Sequence, residues 1–225
     1  MNKLCFILVF CIIIMSSLVS CQNSNSDIAK NSNTTVVSDE SQLTEELPEK
    51  FKGYKVLKTF TQNDYAIMPT MDNIIAYSKY SVVGTVNDID YVSLGTNAWT
   101  IINVSVEETL SGNVPENSVI KVYTYGGYIP LRTKLGDSID KHGINMTDEE
   151  IDNTVIYEYA DETETPEIGK KYVFYLVDGN SAMENGSYEG FFGKYGRLEI
   201  TGTAEFTRKN SSGQLEKYNK SDLIK

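Results

Sequence analysis

Regular alternation of apolar and polar residues predicts a β-strand in the segment 99–107. Its apolar residues Ile102, Val104 and Val106 recur at every second position, as on one face of a half-buried strand. Residues 172–177 are instead apolar at every position, which is typical of a central strand buried on both faces. The pattern therefore predicts a sheet in which at least one strand is covered on both sides.

Further strand signals surround these two segments. They are rich in β-branched or aromatic residues, and they comprise 82–86, 119–125, 197–201 and 204–207. Gly84 interrupts the first of them, where we expect a β-bulge or a tight bend. The glycines of 190–196 predict a kinked hairpin with the strand that follows.

Capping signals predict two short helices. The segment 69–79 offers Thr70 or Asp72 as its N-cap. Thr147 begins a capping box, which predicts a second helix around 148–153.

Six or seven strands and two helices over about 160 residues predict one mainly β domain, at 51–209. Strands at this spacing are typical of a closed or nearly closed barrel, or of a sandwich. The glycine-kinked strands favour a small antiparallel barrel, because sharply curved sheets need glycines and bulges. The polar stretch 130–168 is predicted to be an insertion that is either mobile or functional. Residues 210–225 are predicted to form a polar tail.

The N-terminus has the layout of a secretory signal peptide. Lys3 precedes a run without charges at 4–19, and small residues follow before position 21. This run is shorter than the roughly 20 residues that a membrane-spanning helix needs. Residues 1–20 are therefore predicted to be a signal peptide.

The segment Leu18-Val19-Ser20-Cys21 resembles the lipobox of bacterial lipoproteins. The resemblance implies transfer of a diacylglyceryl group to the Cys21 sulfur and cleavage before Cys21, so that the lipid holds the protein on the extracytoplasmic face of the cell membrane. Two acyl chains are enough for stable anchoring. The alternative is an ordinary secretory signal with an incidental cysteine.

Residues 21–50 are predicted to comprise the lipidated cysteine and a flexible tether. They are rich in Asn, Ser, Thr and acidic residues and have little to bury, so burial cannot offset the entropy of ordering. The alternative for part of the tether is a short helix at 40–47.

Composition limits the kinds of partner. The net charge is −11, and it becomes −12 once residues 1–20 are removed, so the protein repels phosphate backbones and no nucleic acid is expected as a partner. Cys5 and Cys11 lie in the signal, and Cys21 would be acylated. The mature domain is then without a thiol for catalysis, disulfides or metal binding.

The order of segments is similar to that of a known group of proteins. After the helix at 69–79 come strand segments at 81–86, 104–112, one leading into 126–127, and 166–176. This resembles a group of small secreted or lipid-anchored bacterial domains with an OB-like barrel, generally without assigned function. The resemblance covers roughly residues 70–200 and implies a fold, but it carries no catalytic residue to this chain.

Candidate catalytic and metal-binding chemistry is sparse. His142 is the sole histidine and lies in a charged segment, which is typical of a solvated side chain. Carboxylates for general acid–base work exist at 107–108 and 148–150, without a motif that fixes their separation. Pairs of aspartates at 87–90 and 137–140, and the looser acidic run 161–164, could hold calcium, yet none continues as an EF-hand loop. We therefore assign no catalytic residue, metal or cofactor.

Aromatic residues offer the candidate ligand-binding surface. Tyr123, Tyr125 and Tyr128 surround two glycines, with Trp99 as a neighbour, and tyrosines make amphipathic contacts with proteins and glycans. The alternative is that they pack beneath the insertion. The sequence thus favours a non-enzymatic, lipid-anchored binding protein with a protein or cell-wall glycan partner. The alternatives are a surface hydrolase or metal-assisted enzyme that uses carboxylates of 130–168, and a passive envelope protein.

Overall fold

The structure is a computed structural model that describes residues 35–37 (backbone only), 47–61, 66–136, 145–160, 164–202 and 205–224. The predicted signal peptide, Cys21, most of the tether and His142 lie outside these ranges. Within the described ranges, no helix is long and apolar enough to cross a membrane.

The strands in chain order are β1 (Thr35–Val37), β2 (Lys55–Phe60), β3 (Tyr80–Leu94), β4 (Asn97–Ser111), β5 (Val119–Tyr125), β6 (Gly127–Pro130), β7 (Thr154–Tyr159), β8 (Lys171–Asp178), β9 (Tyr188–Gly190), β10 (Arg197–Thr201), β11 (Glu205–Lys209) and β12 (Leu215–Tyr218). The helices are α1 (Met71–Tyr77), α2 (Leu131–Leu135) and α3 (Asp148–Asp152), and 3₁₀ turns lie at Glu49–Phe51, Gly193–Gly196 and Lys220–Leu223. The prediction of a mainly β fold with short helices is confirmed.

Five strands close a ring through their backbone hydrogen bonds, in the order β3, β4, β5, β9 and β8. All neighbours in the ring are antiparallel except β5 and β9, which run parallel and pair over only two positions. The ring therefore departs at one seam from the antiparallel barrel that the sequence predicts. Its interior is filled by residues from every strand of the ring, including Val86, Ile102, Val122, Phe174 and, from β9, the partly buried Tyr188.

The long strands β3 and β4 provide the curvature that ring closure needs. Ile102, Val104 and Val106 are buried, as their alternation predicts. The pairing shifts register between Val83 and Gly84, which confirms the predicted irregularity at this glycine. A Cβ atom on Gly84 would lie 2.4 Å from a methyl carbon of Val104, so the close approach of the two strands requires glycine here.

Strand β8 is buried on both faces, as predicted. Tyr172, Phe174 and Leu176 face the interior of the ring, while Val173 and Tyr175 belong to a second core on the other side. This second core is formed with α1, β10, β11 and the 3₁₀ turn at the C-terminus. Because β8 serves both cores, it joins the ring to the strands β10, β11 and β12.

The predicted insertion 130–168 contributes to a second sheet, of order β1–β2–β7–β6. Glu158 of β7 attaches this sheet to the ring: it is 1 % exposed, and its carboxylate accepts a hydrogen bond from the backbone N–H of Ala98 at 2.7 Å. The same carboxylate forms an ion pair with Lys134 of α2. Although α3 confirms the predicted capping box, β7 and α2 were not predicted.

Three segments differ in structure from the sequence predictions. Thr35–Val37, assigned to the tether, form the edge strand β1, because a β-branched segment can pair with the open edge of β2. Residues 210–224, assigned to a polar tail, form β12 and a turn that buries Leu223 completely. The kinked hairpin expected at 190–196 is a 3₁₀ turn instead, which Phe192 enters with a positive φ of 58°.

Candidate functional site

A cavity of about 190 Å³ lies between the residues that precede β8 and the strands β10 to β12. We call it the Arg197 cavity, and its lining residues are Glu164, Thr165, Glu167, Tyr172, Lys194, Arg197, Glu199, Thr207, Arg208, Lys209 and Leu215. Cationic and anionic side chains thus line the same small space. Its position was not predicted from the sequence.

Local backbone geometry places Arg197 in this cavity. Gly196, directly before it, packs so closely on Phe191 that a Cβ atom would lie 1.7 Å from that residue's carbonyl oxygen. The turn that ends at Gly196 delivers Arg197 onto β10, where it pairs with Phe174 of β8. Its guanidinium then lies over the ring of Tyr172, 5.3 Å from the ring centroid. Arg197 is consequently 9 % exposed.

Few polar contacts satisfy the Arg197 guanidinium. One of its nitrogens, Nη2, donates a hydrogen bond to the backbone carbonyl of Glu164 at 2.6 Å. A guanidinium has five N–H donors, so most of its donor capacity remains. No carboxylate of the described residues forms an ion pair with it, and the nearby Glu199 pairs with Lys170 instead, at 3.0 Å.

Arg208, the other buried arginine in the cavity wall, is fully engaged. Its guanidinium pairs with Glu216 at 2.8 Å. It also donates to the carbonyl oxygens of Pro69 and Tyr195, at 3.1 and 2.9 Å. The comparison identifies Arg197, and not Arg208, as the buried cation without a described counter-charge.

Burial sets the electrostatics of the site. It lowers the pKa of Arg197 to about 10, an effect partly opposed by Tyr172 and by the carboxylates of Glu164 and Glu199. The side chain is still protonated at neutral pH. It therefore presents a positive charge from a largely dry position, where interactions with an anion are stronger than in water.

A smaller cavity of about 10 Å³, room for one water molecule, adjoins the first. It shares Glu164, Thr165, Lys194 and Arg197 with the larger one, and Tyr125 and Tyr157 complete part of its wall. Of the four predicted ligand-binding residues, Tyr125 is thus the one that lines a cavity together with Arg197.

The other predicted aromatic residues do not form one exposed patch with Tyr125. Trp99 packs edge-on against Tyr125, with ring centroids 5.8 Å apart, as its partner across β4 and β5. Tyr123 and Tyr128 are each only 4 % exposed. Tyr128 packs against Tyr157 of the insertion, as the alternative interpretation expected.

Four of the five candidate carboxylates, all except Glu149, are engaged with neighbouring cations or backbone groups. Glu107 accepts hydrogen bonds from Lys171 and Thr85, and these bonds lower the pKa of its carboxyl group. Glu108 accepts two hydrogen bonds from Lys220, at 2.6 Å each. In the insertion, Asp148 and Asp152 pair with Arg132, and Glu150 completes the N-terminal cap of α3.

The predicted calcium segments give no coordination site that the structure describes. Asp90 is bound by Lys50 at 2.5 Å, and Asn87 donates to Ser105 at 2.7 Å. Residues 137–140 and 161–163 lie outside the described ranges. Among the described residues, no group of three or more His, Cys, Asp or Glu side chains is placed to hold a metal ion.

No protein-family model matches the chain, and no curated protein matches it at a significant level.

Proposed function

We propose that this protein is a lipid-anchored, extracytoplasmic binding protein that holds a small anionic ligand in the Arg197 cavity. The observation that carries the proposal is the buried guanidinium of Arg197, for which the described residues supply one carbonyl acceptor and no carboxylate. The proposal assigns no catalytic step. The closed ring of five strands supports an OB-like barrel as the scaffold.

The energetic argument starts from the cost of burying charge. A buried ion without a partner is strongly destabilising, and a buried donor without an acceptor costs about 1–3 kcal/mol. An anion in the cavity offsets both costs. Carboxylate and phosphate groups suit the site best, because the planar fork of an arginine binds them through two parallel hydrogen bonds.

Size and overall charge limit the ligand further. At about 190 Å³ the cavity is smaller than the roughly 300–1,000 Å³ of pockets for drug-sized molecules. A net charge of −11 repels long polyanions, whereas one acidic group can still be attracted by a local cation. A free small acid, or a single acidic group on a protein or cell-wall glycan, meets both limits.

Calorimetric titration tests the binding site. The full chain in detergent micelles is titrated with acetate and with inorganic phosphate, beside the variants Arg197→Met and Arg132→Met. Arg132 is the matched control because it is a partly exposed arginine paired with two aspartates. We expect saturable binding of at least one anion by the wild type and by Arg132→Met, and none by Arg197→Met.

A melting experiment keeps this test independent of folding defects. Replacing a buried charge by an apolar side chain is often neutral or stabilising by about 1–4 kcal/mol. Arg197→Met should therefore fold and melt no lower than the wild type, while losing the stabilisation that the anion gives. Equal stabilisation of both proteins by acetate and phosphate would remove the proposed site.

Lipid anchoring at Cys21 has its own test. Cys21→Ala should leave an unprocessed precursor or release the protein from the membrane, because one cysteine carries the acyl chains. Processing in globomycin-treated cells should likewise stop at the precursor. Membrane-bound Cys21→Ala protein of mature size would contradict the anchor and leave the Arg197 cavity unaffected.

A further inference from the structure

Glu164 lies next to Arg197, and its acidic side chain lines the same cavity. The backbone carbonyl of Glu164 accepts the hydrogen bond from Arg197 Nη2 at 2.6 Å, which fixes the two residues side by side. Its side chain is 59 % exposed and lies 3.9 Å from the Nζ atom of Lys194. Glu164, Lys194 and Arg197 line both the larger and the smaller cavity.

The other two carboxylates of the cavity have closer cations. Glu167 and Glu199 both pair with Lys170, at 2.6 and 3.0 Å. The contact between Glu164 and Lys194 is the longest ion pair of the three lining carboxylates. Glu164 is therefore the carboxylate best able to exchange its present cation for one on a ligand.

We infer that the ligand is a small zwitterion of the amino-acid type, with its carboxylate on Arg197 and its ammonium group on Glu164. This inference rests on the proposed function, since it concerns the same cavity. An α-amino acid carries both charges on one carbon atom, so its binding requires a cation and an anion held side by side. Arg197 and Glu164 offer such a pair, because the backbone carbonyl of Glu164 holds the guanidinium and both side chains line the same cavity.

Lys194 completes the arrangement. When the ligand's ammonium group takes its place at Glu164, the Lys194 Nζ atom can turn to the ligand's carboxylate, so that each charge in the cavity keeps a partner. Thr165 and Thr207 also line the cavity, and a threonine hydroxyl can donate and accept a hydrogen bond. The cavity volume favours amino acids with small side chains.

Two ligands of almost equal size separate this inference from the proposed function. Propionate and alanine differ by the ammonium group, and both are titrated into the full chain in detergent. We expect alanine to bind at least about tenfold more tightly than propionate, as one charge-assisted hydrogen bond implies. Arg197→Met should bind neither.

The variant Glu164→Gln should affect the affinities for the two ligands differently. It keeps the backbone carbonyl that holds Arg197 but removes the negative charge. Alanine affinity should fall by about tenfold, whereas propionate affinity should stay equal or increase. Glu205→Gln, an exposed carboxylate paired with Lys217 on β12, is the matched control and should change neither.

The outcomes distinguish the two proposals. If propionate binds through Arg197 and alanine binds no more tightly, the zwitterion is excluded and the anion site stands. If the Glu164→Gln variant lowers the affinity for both ligands equally, Glu164 supports the site without contacting an ammonium group. That result also overturns the inference. If neither propionate nor alanine binds, both the zwitterion inference and the proposed function are contradicted.

Discussion

The phenolic oxygen of Tyr175 donates a hydrogen bond to the carbonyl oxygen of Leu223 at 2.9 Å. Tyr175 lies in the middle of β8, the strand shared by both cores, and Leu223 lies in the final turn of the described chain. Both side chains are almost completely buried in the same core. The polar C-terminal segment is therefore part of the fold.

Leu223 should accordingly be important for stability. Leu223→Ala removes a fully buried side chain and should lower the free energy of unfolding by about 2–5 kcal/mol. The neighbouring Ile224 is 44 % exposed, so Ile224→Ala should cost much less. Urea denaturation of both variants checks this, and equal losses would show that the C-terminal turn does not pack as described.

Gly84 should not tolerate even the smallest side chain. A Cβ atom there would lie 2.4 Å from Val104 Cγ1 and 2.7 Å from the carbonyl oxygen of Ser105. Gly84→Ala should therefore destabilise the protein by about 1–3 kcal/mol through overpacking. Thr133→Ala, at an exposed position of α2, serves as the control. A melting temperature unchanged in Gly84→Ala would contradict the close approach of β3 and β4.

Glu158 should hold the second sheet on the ring. Glu158→Ala removes the acceptor for the backbone N–H of Ala98 and the partner of Lys134. Removing one member of a buried ion pair typically costs about 3–5 kcal/mol, and the lower end is expected because Lys134 is 26 % exposed. Hydrogen exchange should show faster opening of the second sheet in this variant. The exposed Glu149 supplies the control Glu149→Ala, and similar exchange in both variants would argue against the attachment.

Glu189 predicts a pH dependence of stability. Burial raises the pKa of this carboxyl above its usual range, and a hydrogen bond with Asn180 acts in the opposite direction. The folded protein therefore binds the proton more tightly than the unfolded chain does. This contribution to stability is complete below the ordinary pKa of glutamate and is lost as the pH rises through the folded-state pKa.

The variant Glu189→Gln cannot lose this proton. Its stability relative to the wild type should therefore increase as the pH is raised from about 4 to 8, in urea titrations at several pH values. Glu149→Gln, at an exposed position, is the control. A relative stability of Glu189→Gln that falls with pH would contradict the raised pKa.

Local sequence patterns were sufficient to predict much of the ring and one helix of the insertion. The alternation at Ile102, Val104 and Val106, the apolar run of β8 and the cap of α3 each reflect a short segment acting on its own neighbours. The second sheet depends on long-range pairing. Strand β7 pairs in parallel with β2, which is distant in the chain, and the polar residues around β7 concealed its strand signal. Likewise, β12 has few apolar residues and is positioned by its pairing with β11.

The candidate site could not be found from spacing. Arg197 and Glu199 alternate with Leu198 and Ile200, which is the ordinary pattern of a strand with one solvated face. In the fold, pairing of β10 with β8 places Arg197 over Tyr172 and buries it. Only tertiary structure distinguishes this arginine from Arg208, which is also buried but has a carboxylate partner.

The most direct test of the account follows the Arg197 guanidinium itself. The chain contains three arginines, so the nitrogen-15 NMR spectrum of their Nε–H groups is simple, and Arg197→Met identifies the signal of Arg197. We predict that this signal shifts saturably when acetate or alanine is added, while that of Arg132, which does not line the cavity, remains in place. An Arg197 signal that does not respond, or that moves no more than the signal of Arg132, would contradict an anion site in this cavity.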